Sequence, residues 1–216
     1  MPVERVTSST QLHLASEPQG RVLIDGVNCR LRVGQNVVLT ANILISPEVV
    51  NATVDIGDGC NLAGVIRIVR GKGGTVRIGA RTSFNHAAVS MHETANVTIG
   101  ADCMFSTDVH MDPSDMHPIY DRATGERLNP PQDIVIGDHV WLGTKVLVMK
   151  GASIGSGSIV GAGSLVSGEL PENVLAVGAP ARIVRENVVW TRDMDEQPRL
   201  VPGSGPATKR KRGWFR

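Results

Sequence analysis

A repeat of six residues between positions 136 and 171 constrains the fold of this chain more strongly than any other feature. Aliphatic residues recur there at a strict spacing of six: Ile136, Leu142, Val148, Ile154, Val160 and Val166. Four of them are followed by glycine, and a small or aliphatic residue stands four positions after each. An α-helix repeats about every 3.6 residues and an isolated strand about every two, so neither explains the spacing. A hexapeptide repeat does, and it is typical of a β-solenoid.

The repeat also predicts how each six-residue unit contributes to a coil. Three sixes form one triangular coil, in which the aliphatic side chain points inward and the adjacent glycine relieves crowding where the backbone bends. Each coil hydrogen-bonds to the next at a spacing of about 4.8 Å. Because one coil cannot bury its own face, stability comes from stacking. A glycine-rich β-sandwich is the alternative fold, and six consecutive sixes in register disfavour it.

Pairs of an aliphatic residue and a glycine extend the repeat toward the N-terminus. Their aliphatic members are Val33, Ile56, Ile78, Ile99 and Ile136, at intervals of 23, 22, 21 and 37 residues. Since three sixes make eighteen, the first three intervals carry a few extra residues, which we expect to bulge at corners, for example at 71–74. The last interval predicts one large inserted loop at 111–133. A long excursion from a strict repeat is typically either functional or disordered, and the regular coils on both sides of this one favour a functional loop.

The chain is therefore predicted to be all-β, a parallel β-helix with one inserted loop and a short C-terminal helix. Residues 1–19 show no clear period and are interpreted as a loosely ordered extension, and 20–183 as the β-helix. Residues 184–197 are predicted to form the helix, which would cap the last coil with Trp190 as a packing residue. The remainder, 198–216, is interpreted as a disordered basic tail.

Charge and composition narrow the functional classes. The net charge is +1, and the tail beyond Pro202 contributes five basic residues and no acid. The rest of the chain therefore carries −4, which gives no reason to expect nucleic-acid binding. The terminal sequence KRKRGWFR suggests weak contact with an anionic membrane surface, with a solvated tail as the alternative.

The three cysteines, Cys29, Cys60 and Cys103, are an odd and unclustered set, which argues against a disulfide framework. Cys60 and Cys103 fall on the inward small position of their sixes, so we expect both to pack in the core. The sequence shows no recognisable signal peptide and no apolar run long enough to span a membrane. A cytoplasmic location is therefore expected.

Four motifs carry a resemblance to a known family: SDMHPIYD at 114–121, IGDHVWLG at 136–143, VGAG at 160–163 and VGAPARIVR at 177–185. With them the chain resembles the left-handed β-helix O-acetyltransferases, a group that includes maltose, galactoside and polysaccharide-modifying enzymes. The resemblance implies a left-handed coil, acetyl-CoA as donor, a hydroxyl acceptor and a homotrimer with active sites between subunits. The inserted loop looks more like that of enzymes that decorate exopolysaccharide, capsule or lipopolysaccharide sugars, whether small or lipid-linked.

Acetyl transfer to an alcohol requires a base that removes the hydroxyl proton, and a neutral imidazole suits this task near pH 7. The resemblance places His117 at the position of that base. Asp115, two residues earlier, would either orient the imidazole or cap the loop turn. Asn85 and Glu93 lie on the preceding coil, where the family places groups that contact the acceptor. Glu93 is a candidate either to orient the imidazole or to bind a sugar hydroxyl. The alternative for both residues is that they are exposed corner residues without a functional role.

The resemblance places the arm of CoA along the outside of the later coils. The matching positions are Trp141, Gly143, Thr144, Ala162 and Ser167, with Arg182 and Arg185 near the nucleotide phosphates. A backbone N–H at Gly143 or Thr144 is a candidate donor to the developing oxyanion. Trp141 is interpreted as a wall of the cleft. The alternative for Arg182 and Arg185 is that they are ordinary surface charges without a role in binding.

Two other classes compete with this interpretation. A metal-dependent hydratase of the γ-carbonic anhydrase type would need three histidines that meet across a subunit interface. His86, His92, His110 and His117 supply enough imidazoles but lack a closely repeated hexad register, so no metal is expected. A non-enzymatic solenoid would have no reason to carry a histidine-bearing loop. Among enzymes, serine O-acetyltransferase and amino-sugar N-acetyltransferase remain alternatives.

Overall fold

The structure, a computed structural model, describes residues 3–198, and every regular element in that range is a β-strand. In chain order the strands are β1 Val3–Val6, β2 Gln11–Leu14, β3 Val22–Ile24, β4 Arg30–Val33, β5 Val38–Leu39, β6 Asn42–Ile45, β7 Val49–Val50, β8 Thr53–Ile56, β9 Asn61–Ile68, β10 Gly71–Lys72, β11 Thr75–Ile78, β12 Ser83–Met91, β13 Asn96–Ile99, β14 Met104–Asp112, β15 Ile134–Ile136, β16 Trp141–Leu142, β17 Leu147–Met149, β18 Ser153–Ile154, β19 Ile159–Val160, β20 Leu165–Val166, β21 Glu169–Leu170, β22 Val174–Val177 and β23 Arg182–Glu186.

The strands stack in parallel into a triangular prism. A 13-stranded sheet covers two of its faces, because the long strands β9, β12 and β14 bend around a corner. Strand β9, for example, pairs with β5 through Asn61 and Leu62 and with β6 through residues 65–68. We call the face with β5, β16, β19 and β22 face 1, and the face with β3, β6, β17 and β20 face 2. An eight-stranded sheet that runs from β2 to β21 is face 3.

Three corners join the faces. The middle corner, between faces 1 and 2, includes residues 143–146. The loop corner, between faces 2 and 3, is formed by 46–52, 69–74, 92–95 and 113–133. The glycine corner, between faces 3 and 1, includes 100–103 and 137–140. The inserted loop therefore leaves the prism directly above the turns of three earlier coils.

The strand register confirms the coil lengths expected from the sequence. Val33 pairs with Ile56, Ile56 with Ile78, Ile78 with Ile99, and Ile99 with Ile136. The extra residues at 71–74 do bulge, and there Gly71 and Lys72 form β10, which pairs with β7. The inserted loop spans 113–133, two residues shorter than predicted, because β14 continues to Asp112 before the chain leaves face 2.

The aliphatic residues of the sixes fill the prism. The six that define the repeat, Ile136 to Val166, are each at most 2% exposed. Coils approach so closely that a Cβ added at Gly79 would lie 2.5 Å from the backbone nitrogen of Ala101, so only glycine fits there. Cys60 and Cys103 are buried with free thiols, as expected, and burial raises the pKa of Cys103 to about 11.

The predicted extension at 1–19 is wrong for the residues that the structure describes. Strands β1 and β2 pair with β3 and β4, so that Leu12 lies beside Leu31 and Leu14 beside Val33. Val3, Val6 and Leu14 pack against the core. These residues therefore form a first coil, although their spacing does not follow the strict six.

The predicted C-terminal helix at 184–197 is also wrong, since the described part of the chain contains no helix. Residues 182–186 form β23, which pairs antiparallel with β22. The last coil would otherwise present an unpaired strand edge, and an added strand satisfies its backbone groups. Apart from Pro198, the predicted basic tail at 198–216 lies outside the described residues. Within residues 3–198, no helix is long and apolar enough to cross a membrane.

Candidate active site

The two halves of the inserted loop are joined to each other through one buried amide. Asn129, which is 6% exposed, donates from Nδ2 to the Asp115 carboxylate and to the His117 carbonyl, each at 2.9 Å. Its Oδ1 accepts the backbone N–H of Ile119. Asp115 also accepts from Lys150, and hydrogen bonds from Lys150 and Asn129 hold the pKa of Asp115 below its usual range. Asp115 therefore joins the loop to Lys150 on the prism, which is neither of the two roles considered for it.

His117 itself is exposed on this loop. Within residues 3–198 no carboxylate oxygen lies within 4.0 Å of its ring nitrogens, so neither Asp115 nor Glu93 orients the imidazole inside one chain. The ring is positioned by its backbone, since its N–H donates to the Asp115 carbonyl at 2.7 Å and its carbonyl accepts from Asn129.

Glu93 binds the loop rather than the imidazole. Arg127, on the inserted loop, donates from its two terminal nitrogens to the two oxygens of Glu93 at 2.7 and 2.8 Å. This bidentate pair lowers the pKa of Glu93 and joins the loop to the coil below it. The sequence analysis did not identify Arg127; the available signal was a carboxylate at a corner directly beneath a loop that contains two arginines.

Two further ionisable groups lie at the edge of face 2 below the loop. Asp112, at the end of β14, is partly buried, and burial raises its pKa against the opposing charges of His110 and His92. Burial, followed by the charge of Arg67, lowers the pKa of His92, and the charge of His117 adds to that lowering. The loop therefore brings His117 into the electrostatic environment of His92.

A cavity of about 390 Å³ lies between the inserted loop and the earlier turns of the loop corner, at 70–71 and 92–94. Its lining is Arg70, Gly71, His92, Glu93, Thr94, Met116, Pro118, Tyr120 and Arg127. The residues on both sides of His117 thus line this cavity, and the base candidate stands at its rim. Asn85 does not, because it is exposed near the bend of β12, at the opposite end of face 2 from Glu93.

The donor-side candidates divide between two corners and two strands. Trp141, on face 1, is 38% exposed, and Thr144 and Ala162 stand at the middle corner of successive coils. Ser167 is exposed at the loop corner, away from the other three.

Arg182 and Arg185 are exposed on β23, opposite Val177 and Leu175. Among residues 3–198 neither arginine forms an ion pair with a carboxylate.

Gly143 is used by the solenoid itself. A Cβ there would lie 2.7 Å from the backbone nitrogen of Ala162 on the next coil, so its smallness serves coil stacking. Its N–H donates to the Val160 carbonyl at 2.8 Å and is not free for an oxyanion. The Thr144 N–H has no acceptor in the described part of the chain, and the Thr144 hydroxyl bonds to that of Ser106 at 2.8 Å. Of the two candidate oxyanion donors, only Thr144 is available.

A segment that we call the strap, residues 187–193, crosses the glycine corner next to Trp141. Trp190 is buried, stacks on His139 at a centroid distance of 4.0 Å, and lies tilted against Trp141 at 6.0 Å. Its indole N–H donates to the His139 carbonyl at 2.9 Å. Both ring nitrogens of His139 are hydrogen-bonded, with Nδ1 2.7 Å from Asp102 and Nε2 3.0 Å from the Trp190 carbonyl.

Arg192 completes the strap. It donates to Asp102 at 2.9 Å and to the Cys103 carbonyl at 2.6 Å. Burial alone would raise the pKa of Asp102, but hydrogen bonds from His139 and Arg192 outweigh it and lower that pKa. The strap was not predicted, because its residues follow no repeat, although Trp190 was predicted to pack and is buried.

Comparison with known proteins agrees with this architecture. A family model described as "Bacterial transferase hexapeptide (six repeats)" matches residues 133–168. The chain is 33% identical over 190 residues to the polysialic acid O-acetyltransferase of Neisseria meningitidis, covering 88% of this chain and 83% of that protein. It is 44% identical over 125 residues to the enzyme of the same name from Escherichia coli O1:K1, which covers 58% of this chain but only 41% of that longer relative.

Solved structures give the same result. The polySia specific acetyltransferase NeuO superposes with a TM-score of 0.75 at 32% identity, over 88% of this chain and 85% of that one. The polysialic acid O-acetyltransferase OatWY superposes with a TM-score of 0.72 at 29% identity, over 88% and 87%. These neighbours are left-handed β-helices, which confirms the predicted fold class. The chain therefore belongs to the hexapeptide-repeat family of left-handed β-helix acetyltransferases.

Proposed function

We propose that this protein transfers the acetyl group of acetyl-CoA to a hydroxyl of a sugar unit in a surface polysaccharide of the capsule type. The observation that carries the proposal is the similarity along 88% of the chain to a polysialic acid O-acetyltransferase. The structure adds an exposed imidazole on a braced loop, beside a cavity of a size suited to a small ligand. Because acetyl-CoA is made in the cytoplasm, we propose that the enzyme acts there.

His117 is proposed as the general base. As the sugar hydroxyl attacks the thioester carbonyl, its proton passes to His117 and a tetrahedral oxyanion forms. When the C–S bond breaks, the departing sulfur takes that proton from the imidazolium, so His117 returns to its starting state. No acyl-enzyme is required if both substrates meet in one cleft. The backbone bonds that fix His117 support this role, because a base on a mobile loop would lose its alignment.

The donor is proposed to lie along the middle corner. The Thr144 N–H, which has no acceptor within residues 3–198, is available to the oxyanion. The exposed indole of Trp141 would form one wall, and Ala162 would let the pantetheine approach the backbone. Arg182 and Arg185, both exposed, would bind the phosphates, while Ser167 at the loop corner would contact the arm only from a neighbouring subunit.

We propose a homotrimer in which the loop of one subunit completes the donor groove of the next. Ile119, Tyr120 and Leu128 expose 55–59% of their surface on the loop, and Trp141 and Leu147 are exposed on either side of the middle corner. Apolar surface on a projecting loop is typical of a subunit contact. Light scattering coupled to gel filtration should give three times the 23.0 kDa chain mass. A monomeric active enzyme would contradict this arrangement.

The function is tested by an acetyl-CoA turnover screen. Purified protein is offered oligosialic acid, neutral oligosaccharides, nucleotide sugars, amino sugars and serine, with and without a metal chelator. We expect acetyl transfer to glycan hydroxyls that the chelator leaves unchanged. Transfer to serine or to amino groups would favour the other acetyltransferase classes, and loss of activity on chelation would favour a metalloenzyme.

A further inference from the structure

The cavity at the loop corner contains unsatisfied polar atoms. Within residues 3–198, the buried side-chain nitrogen or oxygen atoms without a hydrogen-bond partner are His92 Nε2 and Arg127 Nε. Both residues line this one cavity. Buried polar atoms are normally hydrogen-bonded, and each exception needs an explanation. The wall of this cavity is therefore not fully hydrogen-bonded within the described chain.

The cavity also holds a cation whose charge is not compensated. Arg127 is neutralised by Glu93 through two hydrogen bonds. Arg70 lines the same cavity, and in the described part of the chain it forms no ion pair with a carboxylate and no hydrogen bond. Glu93, the one acid in the lining, is already engaged by Arg127. The cavity is therefore positively charged overall and suited to an anion.

The opposite wall is apolar and belongs to the inserted loop. Met116, Pro118 and Tyr120 form it, and Tyr120 is 57% exposed. An aromatic ring beside polar donors is the arrangement that binds a sugar, since one sugar face carries C–H groups and the edge carries oxygens. A volume of about 390 Å³ is at the low end of ligand pockets, which fits one sugar unit rather than a chain segment.

We propose that this cavity is an acceptor subsite for a sugar unit that bears a carboxylate, and that Arg70 is the residue that selects it. The carboxylate would pair with Arg70, and the ring would lie against Tyr120. The unit acetylated would then sit at the rim, beside His117. This inference rests on the proposed function and assigns the acceptor to the acidic glycans.

The test pairs two variants with two acceptors. Oligosialic acid and the same oligomer with its carboxylates reduced to alcohols are compared on wild-type enzyme, Arg70→Ala and Arg70→Lys. Lys72→Ala is the matched control, because Lys72 is an exposed cation on the same corner that does not line the cavity. The readouts are KM for each acceptor, kcat, and the Kd of CoA.

Wild-type enzyme should prefer the acidic acceptor. Arg70→Ala should raise its KM about tenfold, as expected for loss of one charged hydrogen-bonded pair. Its KM for the reduced oligomer, its kcat and its affinity for CoA should stay unchanged. Arg70→Lys should recover part of the loss, and Lys72→Ala should match wild type.

The remaining outcomes separate this inference from the proposed function. An equal effect of Arg70→Ala on both acceptors, or a preference for the reduced oligomer, would overturn the acidic subsite and leave acetyl transfer standing. Failure to acetylate either oligomer or any other glycan, in protein that binds CoA, would overturn the proposed function and the subsite with it.

Discussion

Two segments leave the hexapeptide repeat, and each is tied back to it by an arginine and a carboxylate. The inserted loop is held by Arg127 on Glu93 and the strap by Arg192 on Asp102. The strap fills its corner with stacked rings and hydrogen-bonded groups. The loop instead encloses a cavity whose walls contain two buried nitrogens that have no hydrogen-bond partner within residues 3–198.

The difference separates stability from function. A segment whose polar groups are all satisfied within the chain serves the fold, whereas a segment with unmet hydrogen bonds and an unpaired cation is built around something else. Changes to the loop should therefore affect turnover more than stability, and changes to the strap should do the reverse.

The largest expected effect is that of His117→Ala. Loss of a general base should lower kcat by about 10²- to 10⁴-fold, while the melting temperature and the Kd of CoA stay close to those of wild type. His13→Ala is the control, since His13 is exposed on β2, far along the prism from the loop. A fully active His117→Ala enzyme would show that His117 is not the general base.

Arg127→Ala should follow in size. It releases the loop from Glu93 and leaves that carboxylate without its cation, so the imidazole loses its alignment. A misplaced catalytic group costs about 10²-fold in rate, and we expect kcat/KM to fall by about that factor with a small change in melting temperature. Arg122→Ala, in the same loop but without an ion pair within residues 3–198, should behave as wild type. A drop in stability without a drop in turnover would reverse the comparison.

Trp190→Ala should show the opposite pattern. Removing a buried tryptophan from its stack on His139 should lower the free energy of unfolding by about 3 kcal/mol. Turnover below the new melting temperature should change less than it does in Arg127→Ala. Val189→Ala, at a position that is 51% exposed, is the matched control and should be nearly neutral. Denaturant unfolding measures the free energy of unfolding of both variants, and an acetyl-transfer assay measures their turnover.

The smallest expected effect is the acid sensitivity of the strap. The folded-state pKa of Asp102 is lowered, so its contribution to stability is present above the unfolded value of about 3.9 and is lost as pH falls through the folded pKa. Asp102→Asn should be less stable than wild type at neutral pH. Between about pH 5 and 2, the free energy of unfolding should fall less in Asp102→Asn than in wild type, because the variant has no carboxylate to protonate at this position. Identical slopes in the two proteins would contradict the assignment.

The repeat was predictable because it depends on a short period that every coil must obey. Intervals between aliphatic and glycine pairs, such as Ile99 and Ile136, gave the coil lengths and the place of the loop. Residues 3–14 were misassigned because stacking on an existing coil tolerates irregular spacing. The helix after Val184 was misassigned because strand pairing at an open edge overrides local helix preference.

The site was only partly predictable, for a physical reason. A motif places His117 on the loop, but which side chains reach it depends on contacts between positions far apart in sequence. Glu93 and Arg127 are 34 residues apart and Arg192 and Asp102 are 90 apart. No local pattern encodes such pairs. Similarly, Gly143 suited a cofactor contact in the sequence, whereas the structure uses it for coil stacking.

The most direct test of the account is a crystal structure of the protein with acetyl-CoA. We expect a trimer in which the thioester lies between Trp141 of one subunit and His117 of another, with its carbonyl oxygen toward the Thr144 N–H. A site about 3 to 3.5 Å from the thioester carbon should then be open to a hydroxyl that also reaches His117. A thioester held beyond the reach of every His117 in the assembly would contradict the central claim.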